Sequence, residues 1–297
     1  MRWFALITGL LTSACCSSLP KLPAKRLPFS VPRATHERVE ELVLDLHDAQ
    51  RDRDVPVKIY KPADATGKLP VVIVSHGIGE DRDSYAYLGR ALAQHGFMAV
   101  HVTHAGTDRA MLKRGYRHLY RAVKDPQNWI ARPRDVTFVL DQLAHRDDAD
   151  LDRVAVAGHS AGAFTAFALA GLRAKDGGSL RDPRVKIIVA MSMPRLDDVV
   201  ANWDVDVPTL NVTGTCDTSL IYRTFPRHRR IPFEQSHAKD QFLVTIEGVN
   251  HDMFSAVRDR HHDLFAALAI AFLTDRAWFA ENGTAQLLGT VVAVESK

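Results

Sequence analysis

The residues with the clearest chemistry are Gly158-His159-Ser160-Ala161-Gly162, which follow the apolar run 154–157 and lead straight into the small-residue stretch 163–170. Strand, tight turn, helix is the setting in which a serine is held on a strained backbone. Such strain is tolerated only if the residues two before and two after the serine lack bulk, and Gly158 and Gly162 meet that condition. A serine hydroxyl is a poor nucleophile at neutral pH until an imidazole takes its proton, and the imidazole needs an acid to fix its tautomer. The chemistry to look for is acyl transfer, with base and acid supplied from elsewhere in the chain.

Both partners are expected downstream, on loops after later strands at the same carboxyl edge of the sheet. His251, in Gly248-Val249-Asn250-His251-Asp252, follows the run 242–246 and precedes the closing helical pattern. Its competitors are worse placed: His237 lies upstream of that strand, and His261 and His262 head the last helix. Asp217 ends the buried run that begins at Val207, while Asp197 and Asp198, after the preceding strand, are the alternative acids. The oxyanion of a tetrahedral intermediate needs preorganised amides, one after the nucleophile and one in the loop after the third strand. Those positions are Ala161 and Ile78, the latter in Ser75-His76-Gly77-Ile78-Gly79, where His76 is expected to shape the loop rather than react.

These positions meet only if a sheet aligns them. Strands are expected over 42–46 and 55–60, an antiparallel pair joined by the charged turn 51–54, and then over 71–75, 97–102, 154–157, 186–191, 209–212 and 242–246. Helices are expected over 84–94, stopped by Gly96, from Pro133 to about 145, and over 263–273. Short β-branched runs alternating with longer amphipathic stretches predict an α/β chain: a mainly parallel central sheet with helices on both faces. The run 71–75, apolar on both sides, suits its centre. A single catalytic domain over 38–297 has the size such a sheet requires.

The run LPVVIVSHGIGEDRDSYAYLGRALAQHGFMAV, with NWIARPRDVTFVLDQL, DRVAVAGHSAGAFTAFALAG, VPTLNVTGTCDTS and GVNHDMF, resembles the dienelactone-hydrolase-like serine esterases. That group is similar to bacterial platelet-activating-factor acetylhydrolase homologues and, more distantly, to cutinases and polyester hydrolases. The resemblance covers roughly residues 39–275. It implies the α/β-hydrolase fold and hydrolysis of carboxylic esters through an acyl-enzyme without a cofactor, with Ser160, Asp217 and His251 as triad and Ile78 and Ala161 as oxyanion donors. The chain departs from these relatives in three places. Serine stands where dienelactone hydrolase itself has cysteine, the acid follows a later strand than in the mammalian platelet-activating-factor enzyme, and Ala161 replaces the Met common beside the nucleophile in polyester hydrolases. A serine peptidase or amidase on the same fold and a catalytically silent binding protein are the alternatives. The peptidases normally carry a propeller or large cap, for which this length leaves no room.

At 297 residues, 46% apolar and 25% charged, the chain has the material for a buried sheet, which argues against disorder. A net charge of +3 without a basic motif gives no reason to expect nucleic acid. His101 and His104 lack a third ligand of metal-site spacing, so no metal is expected. A small-molecule or lipid ester is the expected partner; nothing in the sequence sets the oligomeric state. Residues 1–18 read as an export signal: Met1-Arg2, an apolar run over 3–11 too short to span a bilayer, then Thr12, Ser13 and Ala14 before Cys15 and Cys16. A cysteine in that place is also similar to a bacterial lipoprotein signal, in which Cys15 would carry lipid. Either reading places the protein in a bacterial envelope as periplasmic, secreted or lipid-anchored, with the Pro-rich stretch 19–37 as a linker. Cys216 would then be the only thiol of the folded body and a small buried residue. Two basic stretches follow rim-forming strands: Arg109, Lys113, Arg114, Arg117, Arg121 and Lys124, then Arg223, Arg227, Arg229 and Arg230. They frame an electropositive mouth or are solvated helix faces.

Overall fold

A computed structural model describes residues 33–175, 178–196, 200–255, 259–281 and 284–297. The signal and anchor read at 1–18, most of the 19–37 linker, and the alternative acids Asp197 and Asp198 lie outside the described residues.

The strands are β1 (Val39–Asp48), β2 (Arg53–Pro62), β3 (Leu69–Ser75), β4 (Met98–Val102), β5 (Ala149–His159), β6 (Leu172–Ala174), β7 (Val185–Met191), β8 (Val200–Trp203), β9 (Thr209–Cys216), β10 (Gln241–Asn250), β11 (Thr284–Leu287) and β12 (Thr290–Ser296). β6 and β8 pair apart; the others form one sheet in the order β1-β2-β4-β3-β5-β7-β9-β10-β12-β11. From β4 to β10 every neighbour is parallel, and an antiparallel pair closes each edge. The mainly parallel sheet expected from the sequence is present. The edge pair β11 and β12 was not among the expected strands, although Thr290-Val291-Val292-Ala293-Val294 after the Leu288-Gly289 turn is a β-branched run.

Successive residues of a strand point to opposite faces, so a strand covered on both sides must be apolar throughout. β3 obeys this: Val72 and Val74 pack in one core cluster, Val71 and Ile73 in the other. The first cluster is completed by helices α1 (Ala86–Gln94) and α4 (His262–Thr274), the second by α2 (Pro126–Leu143) and α3 (Ala161–Ala170). Gly96 ends the α1 turn at φ 83°, the left-handed geometry that favours glycine after a helix.

Two expectations are corrected. Helix α2 begins at Pro126, not Pro133, because the Asp125 carboxylate accepts the Gln127 N–H and Pro126 takes the first helical position. Pro133 sits inside the helix, which packing of Trp129, Val136, Val139 and Leu143 holds together. Cys216 is disulfide-bonded rather than a lone thiol.

Candidate active site

β5 ends at His159 and α3 starts at Ala161, so Ser160 alone makes the turn between them. It does so at φ 54°, ψ −116°, a conformation that costs a non-glycine residue of order 1–3 kcal/mol. The flanking glycines are demanded by backbone crossing backbone. A Cβ on Gly158 would lie 2.1 Å from the Gly162 carbonyl oxygen, and one on Gly162 would lie 1.9 Å from the Ser75 carbonyl oxygen.

Asp217 is fully buried one residue past β9, and the sheet itself delivers His251 beside it. β10 bulges after Ile246, so that Asn250 pairs with Cys216. Gly214 permits the approach, since a Cβ there would lie 2.0 Å from the Val249 carbonyl oxygen. The Asn250 side chain then caps the short turn His251–Phe254 by accepting the Asp252 and Met253 N–H groups. His251 Nδ1 lies 3.1 Å from Asp217 Oδ1, 2.6 Å from Ser192 Oγ and 3.0 Å from Arg229 Nη2; the tautomer that pairs with the carboxylate, which only accepts, carries its proton on Nδ1 and leaves Nε2 as the basic nitrogen.

The rest of the Asp217 carboxylate is satisfied by residues that sequence reasoning missed. The Ser192 hydroxyl donates to Oδ1 at 2.8 Å, Thr213 donates to Oδ2 at 2.8 Å, and Arg229 Nη2 reaches Oδ1 at 2.8 Å with both side chains inaccessible. Burial works to raise the Asp217 pKa, but Arg229, His251 and Ser192 outweigh it and hold the acid well below the ordinary carboxylate range. Arg229 also donates to the Ser192 and Met193 carbonyls at 2.8 and 2.7 Å. The basic rim loses this member to the core, and two others are ion-paired: Arg109 with Asp81, and Arg230 with Glu234 and Glu295. Lys113, Arg114, Arg117, Arg121 and Lys124 are exposed.

His251 packs against the residue before Ser160, its ring centroid 4.8 Å from that of His159. Ser160 and His251 are not hydrogen-bonded to each other; contacts of this kind commonly close only when substrate is in place. The Tyr222 hydroxyl is directed at Ser160 but is buried without a hydrogen bond of ordinary geometry.

The loop after β3 is held on every side. The Gly77 N–H donates to Glu80 at 2.7 Å and the Gly79 N–H to the Thr107 carbonyl at 2.8 Å. His76 spans the loop, donating from Nδ1 to the Gly77 carbonyl at 2.5 Å and accepting the His104 N–H at Nε2 at 3.0 Å. Ile78 stands between two engaged amides, and its own N–H is donated to no other group among the described residues. The Ala161 amide belongs to the first turn of α3, where a helix has no internal acceptors to offer. Beneath the loop a buried chain runs from Ser75, whose hydroxyl donates to His104 Nε2 at 2.9 Å, to Asp135, which accepts from His104 Nδ1 at 3.0 Å. A cleft of about 580 Å³ lined by Gln50, Arg51, Phe138 and Arg181 is formed by none of the predicted site residues.

His76, His101, His104 and His159 are all buried, and burial is the first cause that depresses each of them. It brings His101 and His104 to about 4 and His76 and His159 well below the ordinary 6.5, with Arg132 adding to the effect on His76 and His251 to that on His159. The unfolded chain therefore binds more protons than the folded one as pH falls below 6.5, and stability is lost in that direction. Each such histidine removes up to about 1.4 kcal/mol per pH unit. Urea midpoints are expected to fall steeply from pH 6.5 towards pH 4; a midpoint flat across that window would contradict buried, neutral histidines.

The chlorophyllase family model matches residues 31–181, a span that contains Ile78, Ser160 and Ala161 and stops before Asp217 and His251. Among solved structures, a ferulic acid esterase from Streptomyces cinnamoneus matches with a TM-score of 0.61 at 16% identity, covering 82% of this chain and 91% of that one. At that identity the likeness carries the fold, with its mainly parallel sheet and flanking helices, and nothing about the ester. No curated protein matches the chain.

Proposed function

The chain belongs to the chlorophyllase family, within the α/β-hydrolase superfamily of serine esterases, and from that premise we propose that it cleaves carboxylic esters through an acyl-enzyme on Ser160. The observation that carries this reading is the strained Ser160 turn at the same sheet edge as the His251–Asp217 pair. In the proposed cycle Ser160 Oγ attacks the ester carbonyl carbon while His251 Nε2 takes the hydroxyl proton, and the Ile78 and Ala161 amides donate to the oxyanion. Collapse expels the alcohol, which leaves with the proton from His251. Water, deprotonated by the same nitrogen, then releases the acid and restores Ser160. Buried Asp217 keeps Nδ1 protonated throughout, and no step calls for a cofactor.

The same reading takes residues 38–297 as one catalytic domain, 1–18 as an export signal or, alternatively, a lipoprotein signal that leaves Cys15 as a lipid-bearing end, and 19–37 as a linker, with the protein periplasmic, secreted or lipid-anchored in a bacterial envelope. An acyl-chain-length series of nitrophenyl esters, run beside the matching anilides, tests the activity. Ester turnover that vanishes in Ser160→Ala and exceeds anilide turnover is expected. Esters left intact, or cleaved equally by Ser160→Ala, would remove the esterase reading, and faster anilide cleavage would move it to an amidase.

A further inference from the structure

We propose that Arg132 is the positioning residue of the oxyanion hole, a single guanidinium that fastens the Ile78 loop and the Ala161 helix to each other. The inference rests on Ile78 and Ala161 being the two donors proposed above. They come from parts of the chain more than eighty residues apart, and a hole made of two amides works only if both are held at a fixed separation before the charge develops.

Arg132 lies on the buried face of α2, 1% exposed, with each arm on a different part of the hole. Nη2 donates to the His76 carbonyl, two residues before Ile78, and to Ser75 Oγ at 3.3 Å. Nη1 donates to Thr107 Oγ1 at 2.8 Å, and the carbonyl of the same threonine holds the Gly79 N–H, one residue after Ile78. On the other side Nε donates to Thr165 Oγ1 at 3.2 Å, and that hydroxyl donates onward to the Ala161 carbonyl at 3.1 Å. The loop is thus gripped before and after one donor, and the helix at the residue that carries the other.

The chemistry of the acceptors supports positioning over stability. Among the described residues no carboxylate pairs directly with Arg132; every group it touches is a carbonyl or a hydroxyl. Burying a cation among neutral acceptors is a costly way to fill a core, whereas a planar fork with five donors suits the locking of several oxygens in one geometry. The chain from Ser75 through His104 to Asp135 finishes the arrangement: Ser75 Oγ accepts from Arg132 and donates its own proton to His104, which donates in turn to Asp135. Asp135 is in turn held by Arg51 at 2.8 Å and Arg53 at 2.7 Å.

The test uses the purified full-length chain with Arg132→Lys, which keeps the charge and loses the fork, and Thr165→Val, which removes only the arm to Ala161. The readouts are kcat and KM on a nitrophenyl ester, and inhibition by an alkyl trifluoromethyl ketone, which forms an oxyanionic hemiketal with an active serine. Both variants are expected to lose about 10- to 100-fold in kcat, with KM within about two-fold, and to bind the ketone more weakly by the same factor. The pH–rate midpoint should not move, since neither substitution touches His251 or Asp217. Folded variants that retain wild-type ketone affinity, or lose rate only through KM, would overturn the proposal; if Arg132→Lys does not fold, Thr165→Val alone decides. Ketone binding by the wild type that Ser160→Ala abolishes is the control for the underlying site. Its failure would overturn that reading and this inference together, while a sound control with unaffected variants overturns this inference alone.

Discussion

Asp217→Asn is expected to lower kcat for ester hydrolysis by about 10⁴-fold and to weaken the fold in the same stroke. An amide can present an N–H to His251 where the carboxylate only accepts, so the imidazole is free to hold its proton on the nitrogen that should take one from Ser160. The structural cost has a separate origin. Arg229 pairs with Asp217 at 2.8 Å with neither side chain accessible to solvent, and removing one member of a buried ion pair costs about 3–5 kcal/mol. The two effects separate in the double variant, because adding Arg229→Met removes the stranded cation: urea unfolding should recover and kcat should not. An Asp217→Asn protein hydrolysing esters at the wild-type rate would move the acid to another carboxylate, with Asp197 and Asp198 the first to examine.

Gly162→Ala is expected to destabilise the chain by more than about 3 kcal/mol and to leave no measurable turnover. The added Cβ would lie 1.9 Å from the Ser75 carbonyl oxygen and 3.1 Å from that of His76. No flexible side chain can yield at such a contact; β3 and α3 must separate, and with them the two amides proposed for the oxyanion. Gly67→Ala is the comparison, at φ 88° but with open space around the new Cβ, where only the conformational cost of about 1–2 kcal/mol applies. Matched unfolding curves for the two variants would show that the elbow does not depend on this crossing.

The parts of the site legible in the sequence were those fixed by local sterics or by chain order. Gly158 and Gly162 announce the turn because nothing larger fits at either place. Asp217 and His251 follow from their addresses after β9 and β10, and the pairing of Asn250 with Cys216 is what sets their side chains together. Contacts made across the sheet left no such trace. Ser192 reaches Asp217 through the parallel pairing of β7 with β9, Thr213 reaches it from within β9 itself, and Arg229 sits in an Arg-His-Arg-Arg run whose composition reads as a surface. Arg132 and Asp135 did leave a signal, since both fall at the buried phase of α2 set by Trp129, Val136 and Val139, and charges of opposite sign inside an apolar stripe mark a buried polar network. That phase was obscured by starting the helix at Pro133, although Asp125-Pro126 supplies a better cap and first turn.

Ser160 is the proposed nucleophile, and mass-spectrometric mapping of the residue labelled by a fluorophosphonate decides whether it is. One adduct on the peptide containing Ser160 is predicted, competed by an ester substrate and missing in Ser160→Ala. A protein that hydrolyses esters while its label maps to another residue, or while Ser160 stays unmodified, would contradict it.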